Sequence, residues 1–196
     1  DIDGKPKFAV GNLPPTGALG KFEPRVYFGE NVPNYSIIGG VKTDTPVEFD
    51  YPDDTSPNGQ RNYTYTGSGG VPVGSLINKV IFALKYQEQR ILLSNLINKD
   101  SKILFERNPR DRVAKVAPWL TLDGDPYPAL VDGKIMWIID GFTTSAGYPY
   151  SRQSVLSNVI ADIQGSATIG AQRNRTVNYI RNSVKATVDA YNGTVT

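Results

Sequence analysis

Acidic side chains are the groups whose spacing best suits chemistry, and four aspartates fall in one short stretch. Asp123, Asp125, Asp132 and Asp140 lie close together in the sequence. Ca²⁺ takes about six to eight oxygen ligands, often from acidic residues that alternate along a loop. These aspartates are therefore candidate metal ligands, with Ca²⁺ as the one candidate cofactor. The full calcium-loop pattern is absent, and Asp-Gly pairs also favour tight turns, so turn formation is the preferred interpretation.

The same carboxylates can instead supply the acid/base pair of a glycoside-cleaving enzyme. That reaction needs two carboxyl groups about 5–10 Å apart. Glu30, Glu48 and Asp50 are further candidates for such a pair. The usual role of exposed acids is in surface ion pairs and helix caps, which makes an enzyme the alternative rather than the preferred hypothesis.

Tyrosines form a second set of candidates, because two pairs occur in glycine-rich loops. The pairs are Tyr63 with Tyr65, and Tyr148 with Tyr150. In an extended segment, residues i and i+2 point to the same side. Exposed aromatic rings stack on sugars or anchor partner proteins. The preferred interpretation is that these rings pack the loops onto the body of the protein, with ligand binding as the alternative.

Composition removes several classes of function. The sequence contains neither His nor Cys, which excludes Ser-His-Asp and Cys-His catalysis, disulfides and His- or Cys-ligated metals within this chain. The 21 basic and 19 acidic residues give a net charge of +2 and form no polybasic stripe, so nucleic acid is not an expected partner. The densest apolar stretch, residues 76–97, is interrupted by charged residues and is no membrane span.

Elements of both types are predicted, which indicates the α+β class. Gly and Pro in residues 1–24 predict an extended arm, and residues 25–196 are expected to form a single domain. Helices are predicted at 75–87, 89–96 and 108–117. The inner face of the first should contain Leu76, Val80, Ala83, Leu84 and Gln87, and that of the second Leu92, Leu93 and Leu96.

Two dipeptides predict β-hairpins. Asp132-Gly133 lies between apolar runs at 126–131 and 134–140, and Asn192-Gly193 follows the alternating run 184–191. Both are typical of type I′ turns. The expected fold is therefore a mixed, mainly antiparallel sheet with hairpins at 126–140 and 184–196, packed on two or three helices between 75 and 117. Residues 152–176 contain only a weak helical pattern, at 151–163.

Several long segments carry a resemblance to a known family. They include Pro118-Trp119-Leu120 and Asp132-Gly133-Lys134, and extend over residues 24–30, 78–93, 100–104, 112–120, 123–128, 132–140, 143–145, 148–151 and 178–195. In these segments the chain resembles the uncharacterised family of large multi-pass membrane proteins of actinobacteria, cyanobacteria and some other bacteria. The resemblance fades over residues 152–176.

The resemblance implies a location rather than an activity. It implies a bundle of membrane helices outside this sequence, followed by an extracytoplasmic region to which the chain belongs. A start at Asp1 without a signal peptide, and an end within a hairpin, fit a piece cut from a longer protein. The expected location is the extracytoplasmic face of the cell membrane. The preferred hypothesis is a binding or scaffolding domain for envelope polymer, lipid or a neighbouring subunit, and the alternative is a carboxylate-dependent hydrolase or transferase acting on envelope glycans or lipids.

Overall fold

A computed structural model describes residues 10–40, 46, 48–159 and 175–196. The chain divides into two compact units. The first unit comprises Asp1–Val32 and Glu106–Thr196, and the second comprises Pro33–Phe105. The predicted boundary between an arm at 1–24 and a domain at 25–196 stays a prediction.

The described residues form short strands and helices in mixed order. The strands are β1 Val10–Gly11, β2 Thr16–Gly17, β3 Tyr35–Gly39, β4 Glu48–Pro52, β5 Gln60–Tyr63, β6 Val71–Pro72, β7 Ser101–Phe105, β8 Thr121–Leu122, β9 Tyr127–Val131, β10 Lys134–Ser145, β11 Ser154–Val155, β12 Thr176–Val177 and β13 Tyr179–Asp189. The helices are α1 Leu76–Tyr86, α2 Arg90–Leu93, α3 Pro109–Val116 and α4 Leu156–Val159. The α+β class is therefore confirmed, since the paired strands are antiparallel and three helices lie between residues 75 and 117.

The second unit is built on a three-stranded sheet in the order β3-β7-β6. β7 is central, because it pairs with β3 on one edge and with β6 on the other. The pairing with β3 runs along its whole length, from Tyr35 opposite Phe105 to Gly39 opposite Ser101. β4 and β5 form a separate antiparallel ribbon. The core of this unit draws on β7, α1, α2 and the segments between them, and contains Val73, Phe82, Ala83, Ile91, Ile97 and Ile103.

Local caps fix both ends of α1. Ser75 Oγ accepts a hydrogen bond from the backbone amide of Asn78 at 3.2 Å, which satisfies an amide that the first turn leaves unpaired. At the other end Gln87 adopts the left-handed conformation, with φ of 54°, and its amide donates to the carbonyls of Ala83 and Leu84. The chain reverses there into α2, which packs against α1.

The predicted inner face of α1 is largely wrong. Ala83 is buried as expected, but Leu76 and Leu84 are 73% and 74% exposed, and Val80 is also exposed. Phe82 is buried instead, within a group of aromatic rings. Burial of a whole aromatic ring removes more apolar area from water than burial of a leucine. The aromatic side chains therefore set the rotation of the helix, and the leucines point away from the core.

The second helix is shorter than predicted. It ends after one turn at Leu93, because Ser94 is extended, with ψ of 122°. Ile91 is buried, whereas the sequence predicted an inner face made of leucines. The three residues expected to face inward are all exposed: Leu92, Leu93 and Leu96.

The first unit is organised around the long strand β10. β13 pairs with it from Met136 opposite Asp189 to Ser145 opposite Tyr179, with a bulge beside Gly141. β8 and β9 also pair with β10. α3 begins at Pro109 behind the predicted Asn108 cap. The core contains Val113, Leu122, Ile139, Ala186 and Val188.

Both predicted hairpins form, but only one has the predicted turn. Asp132 and Gly133 have φ of 49° and 74°, as a type I′ turn requires. At the second hairpin only Gly193 has positive φ, at 72°, so the type I′ prediction is wrong there. The carboxylate of Asp189 accepts hydrogen bonds from the amides of Tyr191 and Asn192, which favours a longer loop over residues 190–193.

The weakly patterned region 152–176 is only partly described. β11 pairs with β12 across it, and α4 occupies four residues of the predicted helical stretch at 151–163. Residues 151–155 of that stretch are not helical, since they include β11, and residues 160–163 lie outside the described residues. In the described part of the predicted arm, β1 and β2 form a small ribbon that contains the cis peptide bond Leu13-Pro14.

Candidate binding surface

The four candidate aspartates do not converge on one point. Across the described ranges of the chain, no three acidic side chains are grouped so that they could hold a metal ion. Asp123 accepts a hydrogen bond from the amide of Gly124 at 2.7 Å, Asp132 lies in the type I′ turn, and Asp125 is exposed. Asp140 belongs to a pair across the sheet. Calcium binding by these residues stays a prediction.

Asp140 forms an ion pair between neighbouring strands. It lies opposite Lys185 in the β10–β13 ladder, and the Lys185 ammonium contacts its carboxylate and the Tyr127 hydroxyl. The hydrogen bond from Lys185 lowers the pKa of Asp140, and the same bond raises the pKa of Lys185. Such a partly exposed cross-strand pair supports the sheet by about 0–1 kcal/mol.

A cavity of about 440 Å³ in the second unit is lined by two carboxylates. Glu48 accepts a hydrogen bond from the amide of Gly39 at 2.6 Å, and Glu88 accepts one from the amide of Arg90 at 3.2 Å. Both acids therefore hold backbone segments in place, which is a structural arrangement rather than that of a proton-transfer pair. The other two candidates for an acid/base pair, Glu30 and Asp50, belong to the first and second units respectively.

The first tyrosine pair is divided between core and surface. Tyr65 is buried, at 7% exposure, and its hydroxyl oxygen accepts a hydrogen bond from the amide of Gly69 at 3.0 Å. Tyr63 is half-buried, with its hydroxyl 3.3 Å from Thr66 Oγ1. This pair consequently matches the packing alternative better than the ligand-binding one.

The second tyrosine pair lies on the surface. Tyr150 is fully exposed and Tyr148 is 59% exposed. The ring of Tyr148 stacks on that of Tyr179, with centroids 5.8 Å apart. The Asn178 side chain fixes this loop, because it accepts from the Tyr148 amide and donates to the Tyr148 carbonyl. Tyr148 and Tyr150 thus remain candidates for ligand binding.

The most distinctive exposed surface lies on α1, and sequence reasoning missed it. Five aliphatic residues are exposed there, at spacings that place them side by side: Leu76, Ile77, Val80, Ile81 and Leu84. At about 100° per residue, these positions span an arc of about 140° without a polar residue. This set is called the α1 apolar face.

Basic residues border the α1 apolar face on both sides. On the same helical projection, Lys79 lies about 60° before the arc and Lys85 about 40° after it. Lys79 Nζ donates to the Ile97 carbonyl at 2.9 Å, and Lys85 Nζ lies 4.5 Å from the centre of the Phe105 ring. α1 contains no acidic residue. The surface is therefore aliphatic at its centre and positive at its edges.

The composition of α1 could have indicated the α1 apolar face from the sequence. α1 has apolar residues on all sides, whereas a helix that lies on a protein surface normally has one apolar stripe. An all-round apolar helix belongs inside a larger body or against another surface. The exposed leucines of the α2 segment, Leu92, Leu93 and Leu96, carry the same excess of apolar residues.

The fold and this surface define an α+β protein that presents a helical apolar face. The chain belongs to the Uncharacterised protein family (UPF0182), whose model matches residues 1–196. A UPF0182 protein of Arthrobacter sp. (strain FB24) is 54% identical over 199 residues, which cover 99% of this chain and 20% of the relative. A UPF0182 protein of Streptomyces coelicolor is 49% identical over 100% of this chain and 19% of its own length.

The chain thus spans about a fifth of the length of the curated relatives that it matches. No solved structure matches it significantly. Among the described residues, no helix has both the length and the apolar character needed to cross a membrane. The family membership that the sequence predicted is confirmed by the family model, which matches residues 1–196.

Proposed function

We propose that this chain is a non-catalytic binding part of a membrane protein, located on the extracytoplasmic face, and that it docks through the α1 apolar face. The observation that carries the proposal is the exposure of that face. Leu76, Ile77 and Leu84 are each more than 70% exposed, although burial of one such side chain is favourable by about 1.5–3 kcal/mol. An aliphatic surface of this kind is typical of a docking site.

The acids support binding over catalysis. The carboxylates that line the cavity, Glu48 and Glu88, hold backbone amides, and Asp140 pairs with Lys185. The sequence supplies neither His nor Cys as an alternative nucleophile or base. The hydrolase or transferase hypothesis has no comparable observation in its favour.

Site-specific photo-cross-linking in living cells tests the docking surface. A benzophenone amino acid is placed at Leu84 in the full-length gene product, and a matched variant carries it at Asn58, an exposed residue of the same unit. We expect a cross-linked adduct with the docking partner, protein or lipid, from the probe at position 84 and no adduct from the probe at position 58. Equal yields at the two positions would refute docking through α1.

Cysteine labelling tests the location. Because this chain contains no Cys, Asn58→Cys introduces one thiol into it, and any cysteines elsewhere in the gene product are first replaced. A membrane-impermeant maleimide should label Asn58→Cys in intact cells, and the cysteine-free parent should stay unlabelled. Labelling only after lysis would contradict the extracytoplasmic location while leaving the docking surface intact.

A further inference from the structure

Charge is distributed unevenly along this chain, and the excess of positive charge coincides with the exposed aliphatic residues. Residues 75–99, which contain α1 and α2, carry four basic residues and one acidic residue. The rest of the chain carries 17 basic and 18 acidic residues. The net positive charge of the whole chain therefore resides in the segment that exposes the α1 apolar face.

The chemistry of the exposed side chains distinguishes between two possible binding partners of the α1 apolar face, a protein and a membrane. All five members of the α1 apolar face are aliphatic, and the aromatic residues of the helix, Phe82 and Tyr86, pack inward against Phe105 and Tyr35. The residues that contribute most to protein interfaces are enriched in Tyr, Trp and Arg. An aliphatic arc bordered by basic residues is instead the pattern of a helix that lies in a membrane interface.

We propose that the α1 apolar face inserts into the surface of an anionic lipid bilayer, with α1 parallel to the bilayer plane. This rests on the proposed function, in which the same face is the docking site. Eleven residues give a helix of about 16 Å, and such a helix enters about 5–10 Å into the boundary between headgroups and acyl chains. Lys79 and Lys85 border the arc on its two sides, with their ammonium groups beside the Ile97 carbonyl and the Phe105 ring, and such long side chains can reach headgroups while their stems remain on apolar surface.

Arg90 adds a second contact with anionic headgroups. Its side chain is 92% exposed, with Nε 3.9 Å from Glu88 Oε1, so most of the guanidinium surface is accessible. It lines the 440 Å³ cavity together with Leu96, one of the exposed leucines. Each basic residue near an anionic bilayer contributes about 1 kcal/mol. The apolar face and the basic border together supply the two signals that stable interfacial binding requires.

Vesicle flotation of the 196-residue chain tests the proposal. The chain should float with vesicles that contain phosphatidylglycerol, weakly with pure phosphatidylcholine vesicles, and less in high salt. Substitution of Leu76, Ile77 and Leu84 together by Ser should weaken binding about a hundredfold or more. Lys85→Gln with Arg90→Gln should weaken it about fivefold for each charge.

Matched controls distinguish vesicle binding through the α1 apolar face from nonspecific vesicle binding. Trp119 is 80% exposed in the first unit, so Trp119→Ser removes an equally exposed apolar residue elsewhere. Arg152 and Arg181 are exposed in the same unit, so Arg152→Gln with Arg181→Gln removes two charges elsewhere. Both controls should float like the wild type. Circular dichroism establishes that every variant is folded before it is compared.

Several outcomes would overturn the lipid proposal. They are absence of flotation with either kind of vesicle, undiminished flotation of the triple Ser variant, and equal losses in the Trp119 control. If flotation fails while the cross-linker at Leu84 yields a protein adduct, the occupant is a protein or a second copy, and the docking function survives without the bilayer. If both experiments fail, the docking function fails as well.

Discussion

The contact between Gly193 and Phe28 provides a direct test of the packing in the first unit. Gly193 is the last residue of the loop of the last hairpin, with φ of 72°, and its carbonyl accepts a hydrogen bond from Arg112 Nε at 2.8 Å. A Cβ added to Gly193 would lie 2.5 Å from the ring of Phe28. That ring is 1% exposed, and the Arg112 guanidinium lies 4.5 Å from its centre. The ring is therefore enclosed and cannot move aside without disturbing its neighbours.

Gly193→Ala should reduce the free energy of unfolding by about 2–4 kcal/mol. Placing a residue with a Cβ in the left-handed region costs roughly 1–2 kcal/mol, and forcing an extra methyl group into a packed site costs typically about 1–3 kcal/mol. The lower entropy of the unfolded alanine chain offsets about 0.4–1 kcal/mol of this.

Gly20→Ala is the matched control, because Gly20 has almost the same backbone conformation without the clash. Its φ is 71°, and no heavy atom of the described residues lies within 4 Å of the position that an alanine Cβ would take there. Urea unfolding can be followed by the fluorescence of Trp137, whose indole N–H donates to the Phe28 carbonyl at 2.8 Å. The control should lose about 1 kcal/mol or less. A loss in Gly193→Ala no larger than in Gly20→Ala would refute the enclosed ring.

Two further predictions concern the α1–α2 segment and the last hairpin. Leu84→Ser should change the free energy of unfolding by less than about 0.5 kcal/mol, whereas Ile91→Ala, at a buried position, should cost about 2–5 kcal/mol; paired urea titrations measure both. Burial raises the pKa of Asp189, but hydrogen bonds from Asn192 and Tyr191 and the Lys134 charge outweigh it, so the net pKa is lowered. Its stabilising effect is present above the ordinary pKa of 3.8 and lost as pH falls through the lowered value. Asp189→Asn should flatten that part of the acid-unfolding profile.

Elements defined by local chemistry were predictable from the sequence. Asp132-Gly133 specifies its turn within two residues, and the cap at Asn108 followed by Pro109 specifies the start of α3. The Asn192-Gly193 turn was not predictable in the same way, because the carboxylate of Asp189 organises the loop from outside the dipeptide. Local signals therefore succeed where no neighbouring side chain competes with them.

The candidate site was harder to predict because it depends on tertiary packing. Spacing showed that α1 is a helix, but its rotation depends on which apolar side the sheet covers. Phe82 and Tyr86 pack with Tyr35 and Phe105, which are distant in sequence. Likewise, Tyr65 is buried and Tyr148 exposed although both lie in glycine-rich loops. Residue type alone does not distinguish the two environments.

The composition of α1 argues that its outer residues were selected by something other than the folding of this unit. Phe82 and Ala83 already cover the core from this helix, together with Ile91 from α2. Polar residues at the outer positions would preserve that core and would also make the helix an ordinary amphipathic one. Burial of each of these aliphatic side chains against another surface contributes about 1.5–3 kcal/mol. The proposed docking accounts for the aliphatic character of these positions, and the proposed anionic bilayer accounts for their basic border.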